Sequence, residues 1–243
     1  MQLSETGPDA GKRVVALATP DVLLNTRFFE GLGERERSRL ASVARTVQFR
    51  RDEILFMQGD AVKSLALVLS GKVKLTQCNA GGDDVFMWVS APGDILGLMA
   101  GDPTKTHTCS GIAIEDGRAL VWTAEQMRVL FREFPVLSAN VSHILSIRLM
   151  ELEERFREVA TEPVARRLAC ALSRLTESMG VLTKNGVDIR LSREDLARMT
   201  GTTLFTVSRV VSRWADEGFV RPGRESLTVI DPKMLQWVAL QGK

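Results

Sequence analysis

The spacing of apolar residues changes abruptly at Pro135, and this change constrains the fold more than any other feature. Between Thr46 and Thr123, short apolar runs alternate with turns rich in glycine, proline and aspartate, which is typical of an antiparallel sandwich or barrel. After Pro135, apolar residues recur every three or four positions, the period of an α-helix. The chain of 243 residues has room for two domains. We therefore predict an α+β fold, with strands first and helices after.

The first helical segment carries a narrow apolar stripe, which predicts a helix of about 25 residues from the helical rise and period. Its members recur in steps of three and four: Val141, Leu145, Leu149, Leu152, Phe156 and Val159. The other side is charged: Arg148, Glu151, Glu153, Glu154, Arg155 and Arg157. Such a stripe needs a partner, which is either the chain's own β-domain or the same helix of a second copy.

A pair of short helices is predicted around Gly201. Ser192 is placed to cap the first helix, and the glycine permits a tight turn into the second. The small Ala197 allows the helices to approach closely, while Val207 fills the angle between them. This spacing is typical of a helix-turn-helix.

The segment after this pair is typical of a wing. Gly218-Phe219-Val220 and Leu227-Thr228-Val229-Ile230 are strand-like, and they enclose a basic turn that contains Arg224. Arginine donates two hydrogen bonds to guanine, and hydroxyl groups bind bases or phosphates. The outward positions of the second helix are Thr202, Thr203, Phe205, Thr206, Ser208, Arg209 and Arg213.

The distribution of charge favours a polyanionic partner. Residues 163–243 contain 13 Lys and Arg against 8 Asp and Glu, whereas residues 1–162 contain 19 against 22. A solvated basic face is the alternative explanation. Because the helix spacing, the cap, the wing and the charge excess coincide, we predict binding to double-stranded DNA.

The chain resembles the Crp/Fnr family of bacterial transcription regulators over about residues 28–240. Gly59-Asp60, residues 65–71 and Pro92-Gly93-Asp94-Ile95-Leu96-Gly97 are similar to the glycine corners of the cyclic-nucleotide-binding β-roll. Thr206-Val207-Ser208-Arg209 is similar to the core of the family's recognition helix. The resemblance implies an N-terminal antiparallel β-roll (jelly-roll-like), a long dimerisation helix and a C-terminal winged helix-turn-helix.

We expect four parts: a flexible tail at 1–25, a β-roll sensor domain at 26–135, a dimerisation helix at 136–161 and a DNA-binding domain at 162–243. The resemblance implies a homodimer that reads a palindromic operator and contacts RNA polymerase.

The resemblance also implies roles within the helix-turn-helix. Ser208 and Arg209 match positions that the family uses at bases. Phe205 departs from the pattern, because relatives place a glutamate there that accepts a hydrogen bond from cytosine. Phenylalanine accepts none, but it can contact a thymine methyl group. Positions near the phosphate backbone are matched by Ser192, Arg193, Thr203 and Thr206.

The effector pocket implied by the resemblance contains Gly97, Leu98, Thr108 and Cys109. In relatives that bind cyclic AMP, a glutamate holds the ribose and an Arg-Ser pair holds the phosphate. Here Leu98 replaces the glutamate, Thr108 the arginine and Cys109 the serine. A buried phosphate without a cation loses its main charge-assisted hydrogen bond. We therefore predict no cofactor and no binding of cyclic AMP in the family's usual way.

Haem is the alternative for the sensor. If residues 107–109 form a strand, His107 and Cys109 project to the same face, and both can ligate iron. The haem-dependent, carbon-monoxide-sensing branch of the family places the two residue types in the opposite order. A core thiol beside a rim histidine is the other interpretation. The iron–sulfur branch of the family needs an N-terminal cluster of cysteines, and this sequence has no cysteine before Cys78. We therefore expect no other metal site.

Other function classes fit the sequence less well. We find no metal-binding histidine pair, phosphate loop, nucleophile elbow or dinucleotide fingerprint, so we predict that the chain is not an enzyme. A ligand-binding regulatory subunit that acts through protein contacts is the other candidate, and the basic recognition helix argues against it. With three widely spaced cysteines, no secretory signal and no membrane-spanning run, we expect a cytoplasmic protein.

Overall fold

The structure is a computed structural model that describes residues 26–82, 84–98 and 104–241. The predicted tail, residues 1–25, lies outside the described residues. The chain divides into two compact units, one formed by Met1–Cys78 with Val89–Arg148 and the other by Asn79–Trp88 with Leu149–Lys243.

The first part of the chain is dominated by antiparallel strands. A 3-10 turn (Arg27–Phe29) and helix α1 (Glu34–Val43) precede the strands, and helix α2 (Ala124–Glu133) follows them. The strands are β1 (Arg45–Phe49), β2 (Ile54–Phe56), β3 (Ser64–Ser70), β4 (Val73–Cys78), β5 (Asp84–Ser90), β6 (Ile95–Leu96), β7 (Ser110–Ala113) and β8 (Gly117–Thr123). They form two four-stranded sheets with the orders β1-β8-β3-β6 and β2-β7-β4-β5.

The apolar runs that predicted strands in this part of the chain, 54–56, 65–69, 73–75, 85–89 and 119–122, lie in β2, β3, β4, β5 and β8. Three strands have no such run. β1 has the sequence RTVQF and β7 the sequence SGIA, and β6 contains only two residues. β1 pairs with β8, and β7 pairs with both β2 and β4, so hydrogen bonds to neighbouring strands hold these two segments in the sheets. Short strands of this kind depend on their neighbours rather than on their own apolar pattern.

An aromatic cluster forms the centre of the first core. The rings of Phe28 and Phe29 each lie 6.2 Å from the ring of Trp122, and all three side chains are buried. The indole N–H of Trp122 donates to the carbonyl of Leu40, 2.9 Å away, and thereby ties β8 to α1. The buried indole therefore has the hydrogen-bond partner that it requires.

Helix α3 (Val136–Thr161) contains 26 residues, which confirms the predicted length. Its apolar stripe divides in two, because Val141 packs against the core of the β-domain whereas the other five members are exposed. Those five residues are called the α3 stripe below: Leu145, Leu149, Leu152, Phe156 and Val159. On the charged side of the helix, Arg148 and Arg155 are half-buried, whereas the three glutamates Glu151, Glu153 and Glu154 are exposed.

The second unit continues from Pro163. It contains α4 (Val164–Met179), β9 (Val181–Thr183), β10 (Gly186–Ile189), α5 (Arg193–Thr200), α6 (Leu204–Asp216), β11 (Val220–Pro222), β12 (Leu227–Val229) and α7 (Pro232–Gln241). The strands form one sheet with the order β11-β12-β10-β9, and α7, which we did not predict, packs against α4. None of the described helices combines the length and the apolar character needed to span a membrane.

The turn between β9 and β10 differs from the prediction. The sequence of residues 181–189 predicts a small hairpin with a primed turn at Asn185-Gly186; the hairpin is present as β9–β10, but Gly186 pairs with Thr183 and belongs to the strand. A type I′ turn needs positive φ at both central residues, and Asp52 is the only described non-glycine residue with positive φ. Because Asn185 therefore has a negative φ, the predicted turn type is wrong.

Candidate nucleic-acid interface

Helix α5 begins at a capping box, as the sequence predicts. The hydroxyl oxygen of Ser192 accepts a hydrogen bond from the backbone N–H of Asp195 at 3.0 Å and donates to the Asp195 carboxylate at 2.8 Å. This arrangement satisfies one of the free N–H groups of the first turn. Arg193, the first residue of the helix, lies directly beside this cap.

Gly201 makes the turn between α5 and α6. It has left-handed torsion angles, φ 60° and ψ 46°, and the N–H of the next residue, Thr202, donates to the carbonyl of Ala197 at 3.0 Å. The predicted end of α5 at Thr200-Gly201 is thus confirmed. A side chain at 201 would meet no heavy atom closer than 3.6 Å, so the torsion angles alone favour glycine here.

The buried face of α6 fixes which residues point outward. Val207, Val210, Val211 and Trp214 are buried, and the Trp214 ring packs 5.4 Å from that of Phe219. Since these residues recur at helical spacing, the opposite face of the helix is left to solvent.

The first turn of α6 is capped by Thr203, whose hydroxyl accepts from the N–H of Thr206 at 3.2 Å. The two threonine hydroxyls also lie 3.0 Å apart, and the first turn contains no acidic residue. The positive end of the helix dipole is therefore uncompensated, which favours a negatively charged neighbour.

The outward face of α6 carries Phe205, Arg209 and Arg213 at intervals of four residues, about 6 Å apart along the axis. All three side chains are exposed, whereas Thr202, Thr206 and Ser208 are half-buried. Arg213 lies 3.8 Å from Glu217 in an exposed ion pair, which is weak because both groups are solvated. Of the predicted outward residues, five thus lie on α6, whereas Thr202 and Thr203 precede its first residue, Leu204.

The predicted wing is present as the hairpin β11–β12, but β11 begins at Val220, so Gly218 and Phe219 lie outside the strand. Arg221 pairs with Thr228 across the hairpin, and the N–H of Gly223 donates to the carbonyl of Ser226 at 2.8 Å in the loop. Arg224 lies in that loop and is exposed. The structure therefore places a cation at the tip of the wing.

A buried ion pair at the corner between α3 and α4 was not predicted. Arg174 donates two hydrogen bonds to the carboxylate of Glu158, at 2.6 and 2.9 Å, and Glu158 is only 5% exposed. The paired geometry replaces the water that the buried carboxylate has lost. It fixes α3 against α4, and α4 in turn packs against α5 and α6.

The residues predicted for the effector pocket have contrasting surroundings. Gly97 has φ +71°, and any side chain there would collide with the carbonyl of Ser64. Leu98 packs against the core of the β-domain, whereas Thr108 is exposed. Cys109 is half-buried, and burial raises the pKa of its thiol against the opposing effects of Thr108 and Arg148.

His107 and Cys109 do not lie on a strand, although the haem alternative requires one there. Residues 107–109 are irregular, and β7 begins only at Ser110. The backbone of His107 bonds at 2.8 Å to both Gly59 and Asp60, and its ring stacks on Phe56 at 4.1 Å. Burial lowers the pKa of His107, although Asp60 opposes this shift. The expectation that His107 and Cys109 share a strand face is therefore wrong.

Within residues 26–82, 84–98 and 104–241, no group of three or more His, Cys, Asp or Glu residues is placed to hold a metal ion. A cation that sequence reasoning missed does lie at this corner. Arg148 donates to the carbonyl of Ile95 at 2.8 Å and interacts electrostatically with Cys109. The sequence gave no sign of this contact, because it places Arg148 only on the charged side of a long helix.

The β-domain and the winged helix-turn-helix together define a class, the transcription regulators that couple a ligand-binding type of β-domain to a DNA-binding module. Residues 46–134 match the model of the cyclic nucleotide-binding domain, and residues 166–237 match that of the Crp-like helix-turn-helix domain. The chain belongs to the Crp/Fnr family of transcription regulators. The predicted family and the α+β fold are confirmed, and its relatives are transcription regulators.

Two relatives are similar to this chain over nearly their whole length. The chain is 30% identical to the cyclic AMP receptor protein of Thermus thermophilus over 213 residues, which cover 87% of this chain and 96% of the relative. It is 23% identical to the CRP-like cAMP-activated global transcriptional regulator of Mycobacterium tuberculosis over 219 residues, 88% of this chain and 97% of that protein.

Among solved structures, the c-di-GMP responsive global regulator CLP of Xanthomonas campestris matches with a TM-score of 0.72. The match covers 82% of this chain and 100% of that chain at 18% identity, and it therefore supports the fold alone.

Proposed function

We propose that the chain is a homodimeric, sequence-specific regulator whose two α6 helices read a palindromic operator in duplex DNA. The observation that carries this proposal is the outward face of α6, where Arg209 stands exposed beside a helix start that lacks acidic residues. Arg209 and Ser208 read base edges, while Ser192, Arg193, Thr203 and Thr206 lie toward the phosphates. Arg213 and, from the wing, Arg224 add cations to the same surface.

The proposed division of labour follows the elements of the chain. Residues 26–135 form the sensor domain, 136–161 the dimerisation helix and 162–243 the DNA-binding domain. The α3 stripe supports the dimer, because five large apolar side chains at heptad-like spacing are exposed on one side of a single helix. An exposed apolar surface of this kind favours association with a partner helix.

The sensor is proposed not to take cyclic AMP in the family's usual way. Leu98 offers no hydrogen bond to a ribose, and Thr108 and Cys109 offer no fixed charge to a phosphate. Arg148 is the cation at this corner, and an anionic effector would have to compete with the Ile95 carbonyl for it. Calorimetry with cyclic AMP checks the proposal. Micromolar binding that Thr108→Ala and Cys109→Ala each abolish would contradict it.

The DNA-binding proposal is tested by comparing Arg209→Ala with Arg193→Ala in gel-shift titrations against an operator selected from random duplexes. A bidentate arginine–guanine contact discriminates by about 1–3 kcal/mol, so Arg209→Ala is expected to weaken operator binding about 5- to 150-fold per half-site. Binding to unrelated DNA should change much less. Arg193→Ala should weaken both about equally and lower the slope of log K against log salt by about 1 per contact.

Both variants should remain dimers on a sizing column, because neither residue lies on α3. Operator affinity that is unchanged by Arg209→Ala removes this residue from the base-reading role. Binding that is the same for all sequences in the wild type refutes sequence-specific recognition altogether.

A further inference from the structure

We propose that Phe205 reads the 5-methyl group of a pyrimidine in the major groove of each half-site. This inference rests on the proposed function, since it requires α6 to enter the groove. The methyl group is carried by thymine and also by 5-methylcytosine, which presents the same apolar surface at the same place.

The exposure of Phe205 is the starting observation. The side chain is 86% exposed, more than any other large hydrophobic residue in the described parts of the chain, and its neighbour Leu204 is 46% exposed. The core side of α6 is already filled by Val207, Val211 and Trp214. Phe205 therefore adds nothing to the packing of the unit, and its ring is available to a partner.

The position of Phe205 identifies that partner. It is the second residue of α6, and the N-terminal residues of a recognition helix are those that contact base edges. Residues three and four positions apart share a helix face, so Phe205 lies beside Ser208 and Arg209. The ring lies next to a cation and at the positive end of a helix dipole. These neighbours favour binding to a polyanion over binding to an apolar protein surface.

The chemistry of the ring restricts what it can recognise. A phenyl group neither donates nor accepts a hydrogen bond, and the apolar group in the major groove of unmodified DNA is the C5-methyl of thymine. Placed over the amino group of cytosine or the O6 of guanine, the ring would remove water without replacing its hydrogen bonds. Phe205 should thus favour a methylated pyrimidine over unmethylated cytosine.

The test uses the full-length protein and its selected operator, in which each thymine is replaced singly by deoxyuridine in both half-sites. This change removes only the methyl group. Burying one carbon group away from water is worth about fourfold in affinity, so the wild type should lose about that much per half-site at one position. For the palindrome, which contains the position twice, the loss should be about 15-fold. At that position, deoxyuridine should cause no loss of affinity for the Phe205→Ala variant. The control variant Leu204→Ala, which changes the same helical turn, should lose as much affinity as the wild type does.

A second arm places cytosine or 5-methylcytosine at that position, each paired with guanine. The wild type should bind the methylated duplex about fourfold per half-site more tightly. Circular dichroism checks that both variants fold, which their exposure favours.

The outcomes separate the inference from the proposal beneath it. If deoxyuridine has no effect at any position, or if Phe205→Ala retains the effect, the methyl contact is refuted while DNA recognition stands. Weaker binding by Phe205→Ala without methyl sensitivity also refutes it, and indicates a ring inserted between base steps instead. If the wild type selects no sequence at all, the proposed function fails first.

Discussion

The variant Phe156→Ala tests whether the α3 stripe pairs with a second copy. Phe156 is 75% exposed in the single chain, and it is the most exposed member of the stripe. Burying a whole phenylalanine side chain is worth about 1.5–3 kcal/mol, so three-quarters of it is worth about 1–2 kcal/mol. A twofold dimer buries the residue twice, and its truncation should weaken association by about 2–4 kcal/mol. At 1.4 kcal/mol per factor of ten, the dissociation constant rises about 30- to 700-fold.

Met150→Ala is the matched control. Met150 lies on the same helix and is 67% exposed, but it is six residues from Phe156 and therefore about 120° away around the helix. Sedimentation equilibrium should show a weakened dimer for Phe156→Ala and wild-type association for Met150→Ala. Equal effects of the two variants, or none, would refute pairing through this stripe. The free energy of unfolding of the monomer is not expected to change in either variant, because neither side chain is buried in the single chain.

Two further predictions concern the β-domain and the helix turn. Burial lowers the pKa of His107 in the folded state, so the unfolded chain binds the proton more readily. The contribution of this group to the free energy of unfolding is therefore complete above about pH 6.5, the pKa in the unfolded chain. It is lost as the pH falls through the lower pKa of the folded state. Urea unfolding should therefore show a larger loss between pH 7.5 and 5.5 for the wild type than for His107→Gln, and equal losses would contradict the assignment. Gly201→Ala should lower the free energy of unfolding by about 1–2 kcal/mol, because alanine is strained in the left-handed backbone conformation. The added carbon causes no collision, since it meets no atom closer than 3.6 Å. Gly97→Ala should cost more in the same assay, because the carbon also collides with the Ser64 carbonyl, and similar losses would show that the collision is relieved.

The parts of the fold that local chemistry determines were predictable from the sequence. The cap at Ser192 and the turn at Gly201 each depend on residues within a few positions, so their signals are local. The strands with continuous apolar runs were found for the same reason. β1 was not, because its RTVQF sequence is stabilised by pairing with β8 rather than by an apolar run of its own.

Contacts between distant residues were not predictable. Glu158 and Arg174 are 16 residues apart on different helices, and Arg148 is 53 residues from the Ile95 carbonyl that it binds. Both arginines were indistinguishable in the sequence from solvated helix charges. The ring of His107 likewise stacks on Phe56 of β2, and residues 107–109 form bends and irregular backbone instead of a strand. Sequence spacing fixes a helix face, but the partner of that face depends on how the chain folds back.

The α3 stripe and the start of α6 show how charge separates two kinds of partner that exposure alone does not. Both surfaces present an exposed phenylalanine, Phe156 in one and Phe205 in the other. Phe156 lies among charges of both signs, because Glu153 is exposed while Glu154 pairs with Arg157 at 3.2 Å, so this surface offers no excess of positive charge to a phosphate backbone. The first turn of α6 has no acidic residue, and Arg209 follows one turn later. The same side chain is thus suited to a second protein helix in the first setting and to duplex DNA in the second, because the neighbouring charges decide which partner can approach.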